Sequence, residues 1–238
     1  MKKRKYKWLK ILVIIASIGV ITFVVYNKMP QHSKEAIINR LTRGIIETKQ
    51  PVTVEKKVVD AVNTNRSRTV RFYMPSKGDV QNDKQKFLAK GIMYSKNGIL
   101  VTARGYFQEG ISYEIAIPGQ KEHVVAVPFN VGKNFVFFDI KQNMPFVAEL
   151  SNSPVSVGDT VVAIGGEEED QIATGEVRLV ERTDHDSFIV TTIPSHQMTI
   201  GSPLMNEKRE VVGLYFKKSV DNKAVFVSVR GVDKIINK

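Results

Sequence analysis

From Phe87 onward, short apolar runs alternate with turn residues: Gly91–Ser95, Ile99–Ala103, Tyr113–Ile117, Val124–Phe129, Phe135–Ile140, Thr160–Ile164, Glu176–Val180, Phe188–Ile193, Val211–Phe216 and Ala224–Val229. Runs this short, rich in β-branched and aromatic residues and bounded by Gly, Pro, Asn and Asp, predict strands. Asn97-Gly98 stands between the first two, the strongest short hairpin signal. With no helical pattern between the runs, a sandwich or barrel is expected and a βαβ fold is not. Phe135, Phe137 and Phe138 are expected in the core.

The N-terminal third is patterned differently. Ile11 to Tyr26 carries no charge and follows a flank containing Lys2, Lys3, Arg4, Lys5, Lys7 and Lys10. Flanked by Trp8 and Tyr26, the run predicts a membrane-spanning helix. The rival reading is a cleavable signal peptide, for which Ser17 and Gly19 make a poor cleavage site. Basic flanks stay in the cytoplasm, so a single-pass protein of the bacterial inner (cytoplasmic) membrane is expected, its C-terminal domain periplasmic or extracellular. Ser33 caps a predicted helix to about Lys49, with Ile38, Leu41 and Ile45 on one stripe and Pro51 ending it. A further helical stretch covers Val54–Val62, Thr69–Met74 reads as a strand, polar Pro75–Lys86 as a loop, and Gly231–Lys238 as a short closing helix. The expected organisation is a cytoplasmic flank and anchor over 1–30, a helical connector over 31–65 and one β-domain over 66–238.

Composition changes this picture in two places. The net charge of +11 would fit a nucleic-acid binder, but residues 1–30 hold seven basic residues and no acid, leaving 28 basic against 24 acidic residues elsewhere. The basic character thus reads as membrane topology, and no nucleic-acid partner is expected. The absence of cysteine excludes a disulfide framework or thiolate metal site. His32, His123 and His185 are scattered singly with no paired spacing, so no metal and no cofactor is expected. The acidic run Glu167–Asp170 reads as a solvated loop that could attract a basic partner.

Ser195 to Phe216, SHQMTIGSPLMNEKREVVGLYF, resembles the segment of HtrA-like trypsin-fold serine proteases that reads GNSGGPL and leads into a buried strand. The resemblance extends collinearly over about 150 residues: the hairpin from Gly91 to Thr102, the strand Asn134–Ile140, the run Val157–Gly165, Thr174-Gly175 with Val177, Phe188–Thr192, and Val227–Ile236. It implies an all-β, trypsin-like double β-barrel, here with an N-terminal transmembrane helix and short flanking helices. It also aligns Gly105 with the catalytic histidine, Asn134 with the aspartate and Ile200 with the serine. Met198, Gly201 and Ser202 align with the glycines of the oxyanion loop. General-base catalysis by serine needs an imidazole near the hydroxyl and a carboxylate to orient it. The aligned residues supply none of these, so no catalytic residue and no enzyme activity is expected. A dyad rebuilt from His196 and Ser202 is the alternative way to an active site. The chain stops after the protease-like segment, so the family's PDZ domain is not expected.

These implications point to a membrane-anchored pseudoprotease acting as a protein-binding scaffold. Inactive members of the family resemble parts recruited by envelope machines such as a flagellar motor, secretion system or pilus, so other envelope proteins, or a homo-oligomer, are the expected partners. The alternative is a peptide-binding sensor or chaperone-like regulator that adds extended chains as strands.

Overall fold

The computed structural model describes residues 52–75, 86–183 and 186–236. The first helix, α1 (Val52–Arg66), is longer than the Val54–Val62 stretch suggests. Asn65 accounts for the extension: its amide donates to the carbonyls of Ala61 and, far along the chain, Arg209. As the helix ends, the Asn65 carbonyl accepts both the Arg68 N–H and the Thr69 hydroxyl, so this terminal acceptor is fully satisfied.

The first seven strands are β1 (Thr69–Tyr73), β2 (Phe87–Met93), β3 (Ile99–Ala103), β4 (Tyr113–Ala116), β5 (Val124–Ala126), β6 (Pro128–Val131) and β7 (Phe135–Asp139). They form one sheet in the order β5-β4-β1-β2-β3-β7-β6. The hairpin predicted at Asn97-Gly98 joins β2 and β3, with Gly98 at φ +92°, where a side chain would be strained. The single run Val124–Phe129 divides into β5 and β6, because β5 pairs with β4 whereas β6 pairs with β7. This short segment thus connects the two edges of the sheet and curls it into the first barrel.

The second barrel is closed, in the order β10-β13-β12-β11-β8-β9. Its strands are β8 (Thr160–Gly165), β9 (Gln171–Arg182), β10 (Ser187–Pro194), β11 (Pro203–Met205), β12 (Val211–Lys218) and β13 (Lys223–Ser228), followed by α2 (Asp233–Ile236). β9 is far longer than Glu176–Val180 because its first half, Gln171–Glu176, pairs with β8 and its second half, Val177–Arg182, with β10, and only one of its faces needs apolar residues.

Side chains alternate across each strand and fill three apolar regions. Phe72, Phe107, Tyr113 and Phe138 pack edge-on or tilted inside the first barrel, Phe72 and Phe138 at 4.9 Å between centroids. Val161, Ile189, Leu204 and Phe226 fill the second. Phe135 and Phe137 join Val162, Leu214 and Val227 between the barrels, together with Ala61 and Val62 of α1. All three phenylalanines of β7 are buried, as expected.

One element of the expected architecture is corrected. Among the described residues no helix is long and apolar enough to cross a membrane. The longest, α1, has 15 residues and carries Lys56, Lys57, Asp60 and Arg66, which falls short of the roughly 20 apolar residues a bilayer core demands. The run Ile11–Tyr26 and the predicted helix Ser33–Lys49 lie outside the described residues. Among the described residues the fold is therefore an all-β double barrel with two short helices. The N-terminal transmembrane helix, the single-pass inner-membrane topology, membrane contact through that helix and the envelope-scaffold role built on it are withdrawn.

Candidate functional site

The sequence-derived positions converge where the barrels meet. Gly105 follows β3, Asn134 precedes β7, and Ile200 lies in the turn between β10 and β11. Gly105 and Ile200 touch: a Cβ built on Gly105 would lie 2.8 Å from Ile200 Cγ2. Ile200 also packs against all three apolar regions. The space a side chain at 105 would need is therefore occupied by the side chain at 200. Asn134 joins them through its carbonyl, which accepts the Arg104 N–H at 2.7 Å.

The Asn134 amide, buried at 5% exposure, donates to Oδ1 of Asp186. Asp186, in the β9–β10 turn, also pairs with Lys133 at 2.9 Å. This carboxylate was not singled out from the sequence. A turn residue 52 positions from Asn134 carries no local sign that it will meet it. Both of its oxygens are engaged, and no imidazole stands at 105 for it to orient.

The turn around Ile200 is pinned by its own backbone. The Met198 N–H donates to the Ser195 carbonyl at 3.0 Å, closing the single 3₁₀ turn Ser195–Gln197. An oxyanion would need such an N–H pointing outward. The Met198 side chain lies over Gly165, where a Cβ would come within 2.5 Å of its Cε. Gly201 has φ +77°, and a Cβ there would sit 1.9 Å from the Lys90 carbonyl, so only glycine fits. Lys90 N–H donates to the Ile200 carbonyl at 2.8 Å, and Thr102 Oγ1 donates to the Lys90 carbonyl at 2.6 Å. Ser202 is fully buried; its hydroxyl accepts the Thr199 N–H and bonds the Thr199 hydroxyl, both at 3.1 Å. Thr199 Oγ1 also reaches the Gly166 carbonyl at 3.1 Å.

His196 is exposed on the 3₁₀ turn. With Glu167, Glu168, Glu169, Met198 and Thr199 it lines a cleft of about 400 Å³. His123 stacks on Tyr73 and faces Glu114 at 3.6 Å. His32 and His185 lie outside the described residues, among which no three metal-ligating side chains cluster.

The acidic run does not behave as one solvated loop. Its last member, Asp170, turns inward and meets Lys90 Nζ at 2.6 Å, Arg71 at 2.8 Å and Arg66 at 3.0 Å. Lys90 is wholly buried on β2, so this cluster ties α1, β1 and β2 to the second barrel through the residue whose backbone N–H bonds Ile200. Burial pushes the Asp170 carboxyl up, but the Lys90 hydrogen bond and the charges of Lys90, Arg71 and Arg66 outweigh it and hold the pKa below the usual carboxylate value. Burial lowers the Lys90 amine, with Asp170 opposing.

With this geometry in place, comparison with known proteins identifies the class. Residues 89–214 match the family described as trypsin-like peptidase domain, and the chain belongs to that family. No curated protein matches it. The serine endoprotease from Yersinia pestis shares its fold, with a TM-score of 0.62 at 18% identity over 76% of this chain and 65% of that one. The HtrA-type protease AlgW, solved with a tripeptide, gives 0.62 at 15% identity over 76% and 62%. The chain thus spans less than two thirds of the length of these relatives. The HtrA-like resemblance expected from the motifs holds at the level of fold.

Proposed function

We propose that this trypsin-like peptidase domain does not hydrolyse peptides and acts through binding alone. The contact between Gly105 and Ile200 carries this reading. A serine hydrolase needs a nucleophilic atom at one of these positions and a base at the other; here one side chain is missing and the other is apolar and fills its place. The Met198 N–H turned onto Ser195 and the Asn134–Asp186 bond support the same conclusion, because an oxyanion donor and an oriented imidazole are what a working site would retain. Ser202 offers no substitute, since its hydroxyl is buried and held by Thr199. A rigid double barrel without chemistry still presents loops and a shallow cleft to other molecules. The full chain is expected to leave unfolded casein intact and to remain unlabelled by a fluorophosphonate probe. Labelling that disappears in Ser202→Ala would overturn the proposal.

A further inference from the structure

The open end of the second barrel holds a second cleft, whose lining residues include neither Gly105 nor Ile200. On β9 and β10, Ser187 stands opposite Arg182 and Ile189 opposite Val180. Ile189 also faces Phe226 of β13, and Ser228 follows two residues on, on the same side of the strand. Ile189 belongs to the interior of the second barrel, with Val155 and Val180 packed against it. This face therefore looks into the barrel, and the residues at its end form the mouth.

The cleft there has a volume of about 280 Å³. Its floor is apolar, from Val155, Val180 and Ile189, and its edge carries Arg182 and Arg230 beside the hydroxyls of Ser187 and Ser228. Among the described residues neither guanidinium is paired with a carboxylate. Among the described residues the one acid lining the cleft is Asp186, already engaged by Asn134 and Lys133. Barrel mouths are recurrent ligand sites, and this one lies just below their usual range of roughly 300–1,000 Å³, which suits a small ligand.

We infer that the mouth of the second barrel binds a singly charged carboxylate carried on a short branched apolar stem. Two guanidiniums in one small cleft match the planar, two-oxygen geometry of a carboxylate. Asp186 in the same cleft disfavours a dianion such as phosphate by like-charge repulsion. The apolar floor accepts a group the size of a valine side chain and gives no polar partner to a bare inorganic ion. A free branched acid and the C-terminal residue of a polypeptide share this chemistry. The proposal is independent of whether the Ile200 site is silent.

Titration of the full chain with N-acetylvaline, read by calorimetry and by the methyl resonances of Val155, Val180 and Ile189, tests it. N-acetylvaline is expected to bind and shift those three residues, while N-acetylvalinamide does neither. Arg182→Gln and Arg230→Gln should each weaken binding by about tenfold or more without lowering the Tm, since both side chains are exposed. If either variant is unstable, Arg→Lys at the same position keeps the charge, removes the fork and should still weaken binding. Isovalerate binding as tightly as N-acetylvaline assigns the site to a free acid; binding of N-acetylvaline alone assigns it to a chain end. Equal binding of the amide, displacement by inorganic phosphate, or undiminished binding in the Arg182→Gln/Arg230→Gln double variant would each overturn the inference.

Discussion

Asp170→Asn is expected to destabilise the protein by about 3–5 kcal/mol, the cost of leaving a buried charge without its partner. Among the described residues, Asp170 is the single carboxylate paired with Lys90, Arg71 and Arg66. Lys90 is completely enclosed, so no water can replace the carboxylate at its amine. The two arginines keep part of their surface in solvent and tolerate the loss better. For a domain of this size the Tm should fall on the order of 10 °C. Lys90→Met removes the stranded charge while retaining an apolar stem of similar length, and the double variant should recover more than half of the loss. A loss below about 1 kcal/mol in Asp170→Asn, or a double variant worse than either single one, would show that the cluster is not what joins α1, β1 and β2 to the second barrel.

The same pair makes a signed statement about pH. The folded-state pKa of Asp170 lies below its ordinary value of 3.8, so its contribution is complete above that ordinary value and is lost as pH falls through the lower folded one. Lys90 is lowered from 10.5. Between its folded value and 10.5 the unfolded chain binds more protons, and stability rises with pH. Denaturant titrations should therefore lose the acid-limb dependence in Asp170→Asn and the alkaline rise in Lys90→Met.

Neither residue advertised this role. Lys90 is one charge within the apolar strand Phe87–Met93, and Asp170 ends a run of four acids that reads as a solvated loop. Their meeting depends on which way the chain turns before β9, 80 residues downstream, and no local pattern encodes that. What was legible is what local physics determines: the Asn97-Gly98 hairpin, the buried apolar run of β7, and most strands of both barrels. Strands were lost where their partners, not their own residues, define them. The first half of β9 is polar on its outer face and lies outside the apolar run Glu176–Val180, and the three-residue β11 has no pattern to detect. Gly105, Asn134 and Ile200 came from family resemblance, and the fold brings them together. That Ile200 fills the space beside Gly105, and that Asp186 holds Asn134, required coordinates.

Gly105 and Ile200 are expected to be strongly coupled in a double-mutant cycle. Gly105→His forces a side chain into atoms 2.8 Å from where its Cβ would lie, and overpacking of this kind costs about 1–3 kcal/mol. Ile200→Ser empties a position that touches all three apolar regions and should cost about 2–5 kcal/mol through lost burial and an unfilled cavity. Combined, the new imidazole occupies part of the space that isoleucine leaves, so the double variant should be more stable than the sum of the two losses by at least about 1 kcal/mol. Strict additivity, measured by urea denaturation of all four proteins, would mean that the two side chains do not compete for one space and that Ile200 does not block a base at 105. Activity follows a different logic. Ile200→Ser alone should remain inert because nothing at 105 can take its proton. The double variant supplies nucleophile and base, yet the Met198 N–H still donates to Ser195. A single missing oxyanion donor costs about 10²–10³ in rate, so fluorophosphonate labelling of the double variant should stay far slower than that of an intact protease of this fold, and a further Met198→Gly, which frees the turn from its packing on Gly165, should accelerate it.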